Sequence, residues 1–320
     1  MTAPQEALAR ALPAGMLAAM VTPLDGDGEL DLASLDRLVD ALVGAGLDGL
    51  VPNGSTGENW NLSETQRAVV LSRVLEHAAG RVPVVAGVPP LGTPAAAAEA
   101  RAAAAAGADA VLVSAPAWSA WSEDELRRHF TLVAEAAGVP LALYEVPTRT
   151  NGNTLSVDFV TALAEEGIAH AIKDSSGNLP RARLLNDATR ELPFFRRWTG
   201  VEEAIDGALL GGADGAVGGL ANVAPRAYAE LWKAAQAGDW AAAATAQQTL
   251  VEARSIFMVP RRDASFTGQA VGALKAALVA QGVIAQATMA APLLPSDPEQ
   301  EAAVAALVAR LGLEREVAAT

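Results

Sequence analysis

The stretch IAHAIKDSSGN, residues 168–178, is a short apolar run that ends on a lysine and opens into a polar, glycine-containing turn. The run lacks apolar–polar alternation, the mark of a strand covered on both faces, as parallel sheets require. The same pattern recurs along the chain. Residues 17–22, 49–52, 82–88, 110–114, 141–146, 169–173, 194–199 and 215–220 read as strands. The intervening segments 32–45, 63–79, 94–106, 122–137, 157–166, 180–191 and 202–210 carry helical spacing. Each strand-plus-helix unit takes roughly 20 to 35 residues, enough for a crossover joining parallel strands.

Eight successive units fit a closed (β/α)8 TIM barrel better than an open doubly wound sheet, which more often stops at five or six strands. The glycine-rich stretch GGADGAVGG, residues 211–219, lacks the GxGxxG spacing of a dinucleotide site. Past Asn222 the pattern turns purely helical, over 225–237, 240–257, 267–281 and 298–313. The expectation is therefore an α/β chain: a (β/α)8 barrel over residues 1–222 with a C-terminal helical extension over 223–320. The opening MTAPQEALARAL carries Glu6 and Arg10 where a secretory signal needs an unbroken apolar core, and reads as a frayed or lightly packed lead-in.

Composition removes several function classes. A chain of 320 residues with 51% hydrophobic content can bury a large core. The net charge of −14, with no basic run, gives phosphate backbones and anionic membranes nothing to hold, so nucleic acid and membrane are excluded as partners. The longest alanine-rich segment is interrupted by Glu99 and Arg101, short of the roughly 18 apolar residues of a membrane span. Zero cysteines exclude disulfides, thiolate nucleophiles and iron–sulfur ligation, and make the cytoplasm the default compartment. His77, His129 and His170 lie in unrelated stretches without metal-ligand spacing and read as structural or surface residues.

In a barrel of this kind chemistry sits at the C-terminal ends of the strands. Lys173 ends the sixth, in a chain with three lysines against twenty arginines. Burial penalises an ammonium and so favours the neutral amine, a nucleophile that arginine cannot supply. The competing reading pairs Lys173 with Asp174 in a loop. Tyr144, one of two tyrosines, ends the fifth strand, where a phenol can carry protons or simply fill the core. After the second strand comes GSTGE: Gly54, Ser55, Thr56, Gly57 and Glu58. Paired hydroxyls and backbone N–H groups flanked by glycine suit a small anion such as a carboxylate, or else form an ordinary capped turn before the Ser63–Gln66 capping box.

Together, GMLAAMVTPLDGDGELD, GSTGE, VPVVAGV, LYEVPTRT and IAHAIKDSSGN resemble the dihydrodipicolinate synthase/N-acetylneuraminate lyase family, pyruvate-handling class I aldolases on a (β/α)8 barrel. The resemblance spans nearly the whole chain. It implies that Lys173 forms the Schiff base, that Tyr144 shuttles protons, and that Ser55 and Thr56, with Gly54 beside them, grip the pyruvyl carboxylate. It also implies that Val217 offers a backbone carbonyl to the site, and that Arg149 receives an acidic group on the incoming aldehyde. Pyruvate or another 2-oxo acid and an aldehyde are the implied partners, with no metal or organic cofactor, in a homo-oligomer, dimeric or tetrameric.

The chain departs from the family pattern after the fourth strand. Synthases present two adjacent tyrosines there, one reaching a neighbouring subunit's site, whereas this stretch reads SAPAWSAW, with Ala117 and Trp118 in those places. An indole N–H donates a hydrogen bond but cannot relay a proton as a phenol does. Glu145 also stands in place of the customary Asn. The expectation is a Schiff-base pyruvate aldolase or lyase. The alternatives are 4-hydroxy-tetrahydrodipicolinate synthase proper, a sugar-acid dehydratase, an arylidene-pyruvate aldolase using Trp118 and Trp121, and a non-catalytic 2-oxo acid binder.

Overall fold

The computed structural model describes residues 3–317 apart from 193, 262 and 296. A first helix, α1 (Ala3–Ala11), leads into β1 (Gly15–Ala19), α2 (Leu32–Gly44), β2 (Gly49–Val51), α3 (Glu64–Ala78), β3 (Val85–Gly87) and α4 (Thr93–Ala106). Then follow β4 (Ala110–Ser114), α5 (Glu123–Ala137), β5 (Leu141–Glu145), α6 (Val157–Glu165), β6 (Ala171–Asp174) and α7 (Leu179–Ala188). β7 (Arg196–Thr199), α8 (Ile205–Leu210) and β8 (Gly215–Gly218) complete the alternation. Four more helices end the chain: α9 (Pro225–Gln236), α10 (Trp240–Ala253), α11 (Phe266–Ala280) and α12 (Pro298–Leu311).

All strand pairings are parallel, in the order β2-β1-β8-β7-β6-β5-β4-β3. A parallel bridge from Leu50 to Val84 joins β2 to β3 and closes the ring. The (β/α)8 barrel with a helical extension read from the sequence is the fold observed. Helix starts are written locally: Ser63 and Gln66 form the expected capping box, and Ser122 with Glu125 forms another.

Successive strand side chains point to opposite faces, so each strand divides its residues between barrel interior and helical layer. Met16, Ala18, Val111, Val113, Leu141, Leu143 and Ile172 pack outward into the large core shared with the helices. Leu17, Ala19, Val51, Val85, Leu112, Ala142, Ala171, Trp198 and Val217 form the separate interior cluster, with Tyr144 packed on it. Alternation from Ala142 and Ala171 then aims Tyr144 and Lys173 inward as well, two residues nearer the C-terminal mouth.

The opening segment is not a loose lead-in. It forms α1, and Ala11 and Leu12 belong to the interior cluster, closing the N-terminal end of the barrel. Trp198 Nε1 donates to Pro13 O at 3.0 Å, and Arg196 Nε donates to Leu12 O at 3.1 Å. Burial of Leu12 and the indole against each other's surroundings holds this short helix, which its weak local pattern could not do alone.

Candidate active site

The register places Tyr144 opposite Lys173, and Lys173 opposite Trp198. Lys173 is on a strand, 5% exposed, with Nζ lying 4.7 Å from the centroid of the Tyr144 ring. The loop pairing with Asp174 does not form. Asp174 faces the other side of β6 and pairs with Arg181 of α7 at 2.6 Å.

Gly200, just past β7, makes room for the lysine. A Cβ there would lie 2.0 Å from Ser175 Oγ and 3.2 Å from Lys173 Cε. On the opposite side, Gly87 lets β3 pass under the loop that follows β2, since its Cβ would meet Asn53 O at 2.2 Å. That loop carries the Ser-Thr pair. Gly57 N donates to Gly54 O at 3.1 Å and Glu58 N to Ser55 O at 3.3 Å, folding Gly54–Glu58 into tight turns.

Ser55 Oγ lies 3.2 Å from the Tyr144 hydroxyl, which joins the loop to the lysine through the phenol. Burial pushes the Tyr144 phenol up, but the Lys173 charge, the hydrogen bond with Ser55, the Arg149 charge and a hydrogen bond with Ser175 outweigh it. The net direction is below the ordinary tyrosine value. A phenol so held gives up its proton more readily and can return it across a short path.

A cavity of about 450 Å³ opens above these groups. Gly54, Ser55, Tyr144 and Arg149 are in its wall. Arg149 stacks its guanidinium 5.4 Å from the ring of Trp60 and donates from Nη1 to Thr267 Oγ1 at 3.1 Å. It therefore presents a fixed positive charge at the outer end of a cavity whose inner end is the Tyr144 phenol. Thr56 and Val217 are set back from the wall. Thr56 lies in the loop between Ser55 and Gly57, and Val217 is buried in the barrel interior on β8.

Sequence reasoning did not find Trp60, Ser175, Ser265 or Thr267. Ser175 follows Lys173 by two residues and was legible as part of the same turn. Ser265 and Thr267 come from the start of α11, far along the chain, and line the cavity because that helix lies across the mouth. The histidines lie elsewhere: His77 contacts Asp40 at 2.9 Å, His129 contacts Thr93 at 3.0 Å, and His170 precedes β6. Trp121 Nε1 donates to Pro116 O at 3.0 Å, whereas Trp118 is 95% exposed.

The model of the dihydrodipicolinate synthetase family matches residues 12–311. The 4-hydroxy-tetrahydrodipicolinate synthase of Sorangium cellulosum is 36% identical over 306 residues, covering 94% of this chain and 97% of that protein. The enzyme of the same name from Azoarcus sp. is 40% identical over 237 residues, 74% of this chain and 80% of that protein. Among solved structures, a prophage protein of the dihydrodipicolinic acid synthase family from E. coli K12, in complex with pyruvate, superposes with a TM-score of 0.88. It is 30% identical, and the match covers 95% of this chain and all of that one (100%). The chloride-inhibited dihydrodipicolinate synthase of Acinetobacter baumannii, complexed with pyruvate, gives a TM-score of 0.84 at 31% identity, covering 94% and 99%.

Proposed function

The chain belongs to the dihydrodipicolinate synthetase family, and from that premise we propose that Lys173 is the amine through which it works. The protein is an enzyme of the Schiff-base type, a class I aldolase or carbon–carbon lyase acting on a 2-oxo acid. The observation that carries the residue assignment is the stack of Lys173 Nζ over the Tyr144 ring, with the phenol 3.2 Å from Ser55 Oγ.

The Lys173 amine adds to the ketone carbon of pyruvate, and the carbonyl electron pair moves to oxygen. A proton passes from nitrogen through the Tyr144 phenol to the alkoxide; the phenol then protonates that hydroxyl, the nitrogen lone pair expels water, and the iminium forms. The phenolate takes a proton from the adjacent carbon to give an enamine, which adds to the carbonyl carbon of an aldehyde. Run in reverse, the same steps break that carbon–carbon bond. Ser55 and Thr56, with the Gly54 backbone, hold the 2-oxo acid carboxylate. Val217 supplies a carbonyl from β8. Arg149 takes an anionic group on the aldehyde, and its stacking on Trp60 and bond to Thr267 keep the guanidinium in place for that task.

Borohydride reduction in the presence of pyruvate tests the proposal. One reduced pyruvyl adduct should appear on the intact protein and map to Lys173; unchanged mass in folded protein overturns it.

Arg149 in the cavity wall favours a second reading, 4-hydroxy-tetrahydrodipicolinate synthase proper, whose aldehyde carries a carboxylate. Ala117 in that wall, where synthases have a tyrosine, favours the broader aldolase reading. Pyruvate consumption with aspartate semialdehyde, against a panel of neutral and aryl aldehydes, separates the two. We further propose a cytoplasmic homo-oligomer. The indole of Trp118, next in sequence to Ala117 of the cavity wall, is almost wholly exposed, an apolar side chain that a second copy would cover. Light scattering of the wild type and Trp118→Ala tests this.

A further inference from the structure

Lys275, like Lys173, is a lysine in a chain that favours arginine, and it is wholly buried in the middle of α11. Its Nζ lies 2.5 Å from Glu58 Oε1, and both side chains are fully shielded from solvent. Nζ also donates to Thr288 O at 2.7 Å, and Glu58 Oε2 accepts from Ala290 N at 2.8 Å. Glu58 is the last residue of the Gly54–Glu58 loop and holds a left-handed backbone, φ 58°, which disfavours a side chain of its size. Such a conformation persists only where surrounding contacts determine it. The loop is anchored from the other side by Thr22 Oγ1, which donates to Gly57 O at 2.9 Å.

We propose that the buried Lys275–Glu58 pair is a positioning device that sets Ser55 and Thr56 at the height where they meet the 2-oxo acid carboxylate, making α11 part of the substrate grip. This rests on the carboxylate role proposed above for the Ser-Thr pair. The same helix reaches the site a second time through Thr267, two turns earlier, which receives the Arg149 hydrogen bond. One rigid element thus braces the inner anion loop and the outer arginine together. Neither Lys275 nor Glu58 touches substrate. Their effect is on placement, and placement of a group that binds ground state and transition state alike changes half-saturation more than turnover.

The test compares the wild type with the double variant Glu58→Gln/Lys275→Met, which removes both charges and keeps volume, a replacement that buried pairs often tolerate. Pyruvate is titrated under borohydride, and adduct is read by intact mass. The half-saturating pyruvate concentration should rise about tenfold, while the adduct plateau stays within about twofold, as for loss of one well-placed hydrogen bond to a charged group. A folded double variant with unchanged half-saturation overturns the proposal. A parallel measurement needs no variant: pyruvate added to the wild type should slow amide exchange in residues 286–290, none of which lines the cavity. Unchanged exchange there, with slowing at 54–58, also overturns it. Absence of any adduct in the wild type defeats instead the Lys173 reading, so the two failures are distinct.

Discussion

Glu145 on β5 sits directly across from Asp174 on β6, and Arg181, which pairs with Asp174 at 2.6 Å, is the cation acting on both carboxylates. Glu145 is 1% exposed and accepts from Leu155 N at 3.0 Å. Burial raises its pKa from 4.5 to about 7; Arg181 opposes the rise, Asp174 adds to it, and the Leu155 hydrogen bond opposes it.

The folded chain therefore holds a proton on Glu145 that the unfolded chain releases above pH 4.5. Stability falls as pH rises from about 4.5 to about 7 and then levels, a loss of about 3 kcal/mol. Glu145→Gln removes it. Thermal melts of the variant should exceed the wild type at pH 8 and coincide with it at pH 4, and equal melting points at pH 8 contradict the assignment.

Tyr144→Phe keeps the ring beneath Lys173 and deletes the hydroxyl. The turnover number should fall about 10²- to 10⁴-fold, the range of a lost acid–base group, while borohydride still traps the imine at longer incubation. Lys173→Arg should abolish trapping outright, because a guanidinium stays protonated. Trapping that survives Lys173→Arg would assign the amine elsewhere.

Arg149→Met should raise KM for a carboxylate-bearing aldehyde by about 10- to 100-fold, as expected for one charge-assisted contact. Half-saturation by pyruvate should stay within about twofold, since the proposed site gives that partner to Ser55 and Thr56. Equal shifts for both substrates would place Arg149 on the 2-oxo acid instead.

Gly200→Ala puts a methyl group against Ser175 Oγ and Lys173 Cε. The serine must rotate away from the 2.0 Å contact, and at 3.2 Å the lysine chain must shift by a few tenths of an ångström. Stability should drop by about 1–3 kcal/mol, and the rate of imine formation by about tenfold or more through misplacement of the amine. Denaturant melts and timed trapping read the two effects separately.

Much of this architecture could be read locally. Apolar runs announce β4, rich in valine, and β5, carried by leucine and tyrosine, and glycines or capping boxes punctuate the helices between. β3 proved only three residues long because Val82–Val88 is divided by Pro83, which lacks a ladder donor, and by the close approach at Gly87. Helix α1 escaped because PQEALARA has little apolar pattern, and its fixity comes from Trp198 and Arg196, more than 180 residues away.

At the site, position at the strand ends and scarcity of the residue type carried Lys173 and Tyr144, and glycine-flanked hydroxyls carried Ser55. Thr267 and Lys275 were hidden, since nothing near them in the chain says that α11 crosses the mouth. The lysine count was the one clue available, and it singles out residue 275 as readily as residue 173.

With Leu12 and Trp198 buried at the far end and the indole bonded to Pro13 O, the described residues plug the base of the barrel opposite its mouth. On the roles proposed for them the Lys173 amine lies deeper than the Arg149 guanidinium, so the keto acid must be seated before an aldehyde can add to it, and after cleavage it can depart only once the aldehyde has gone. Traffic through the enzyme is thereby sequenced by the plug at its base: last in, first out.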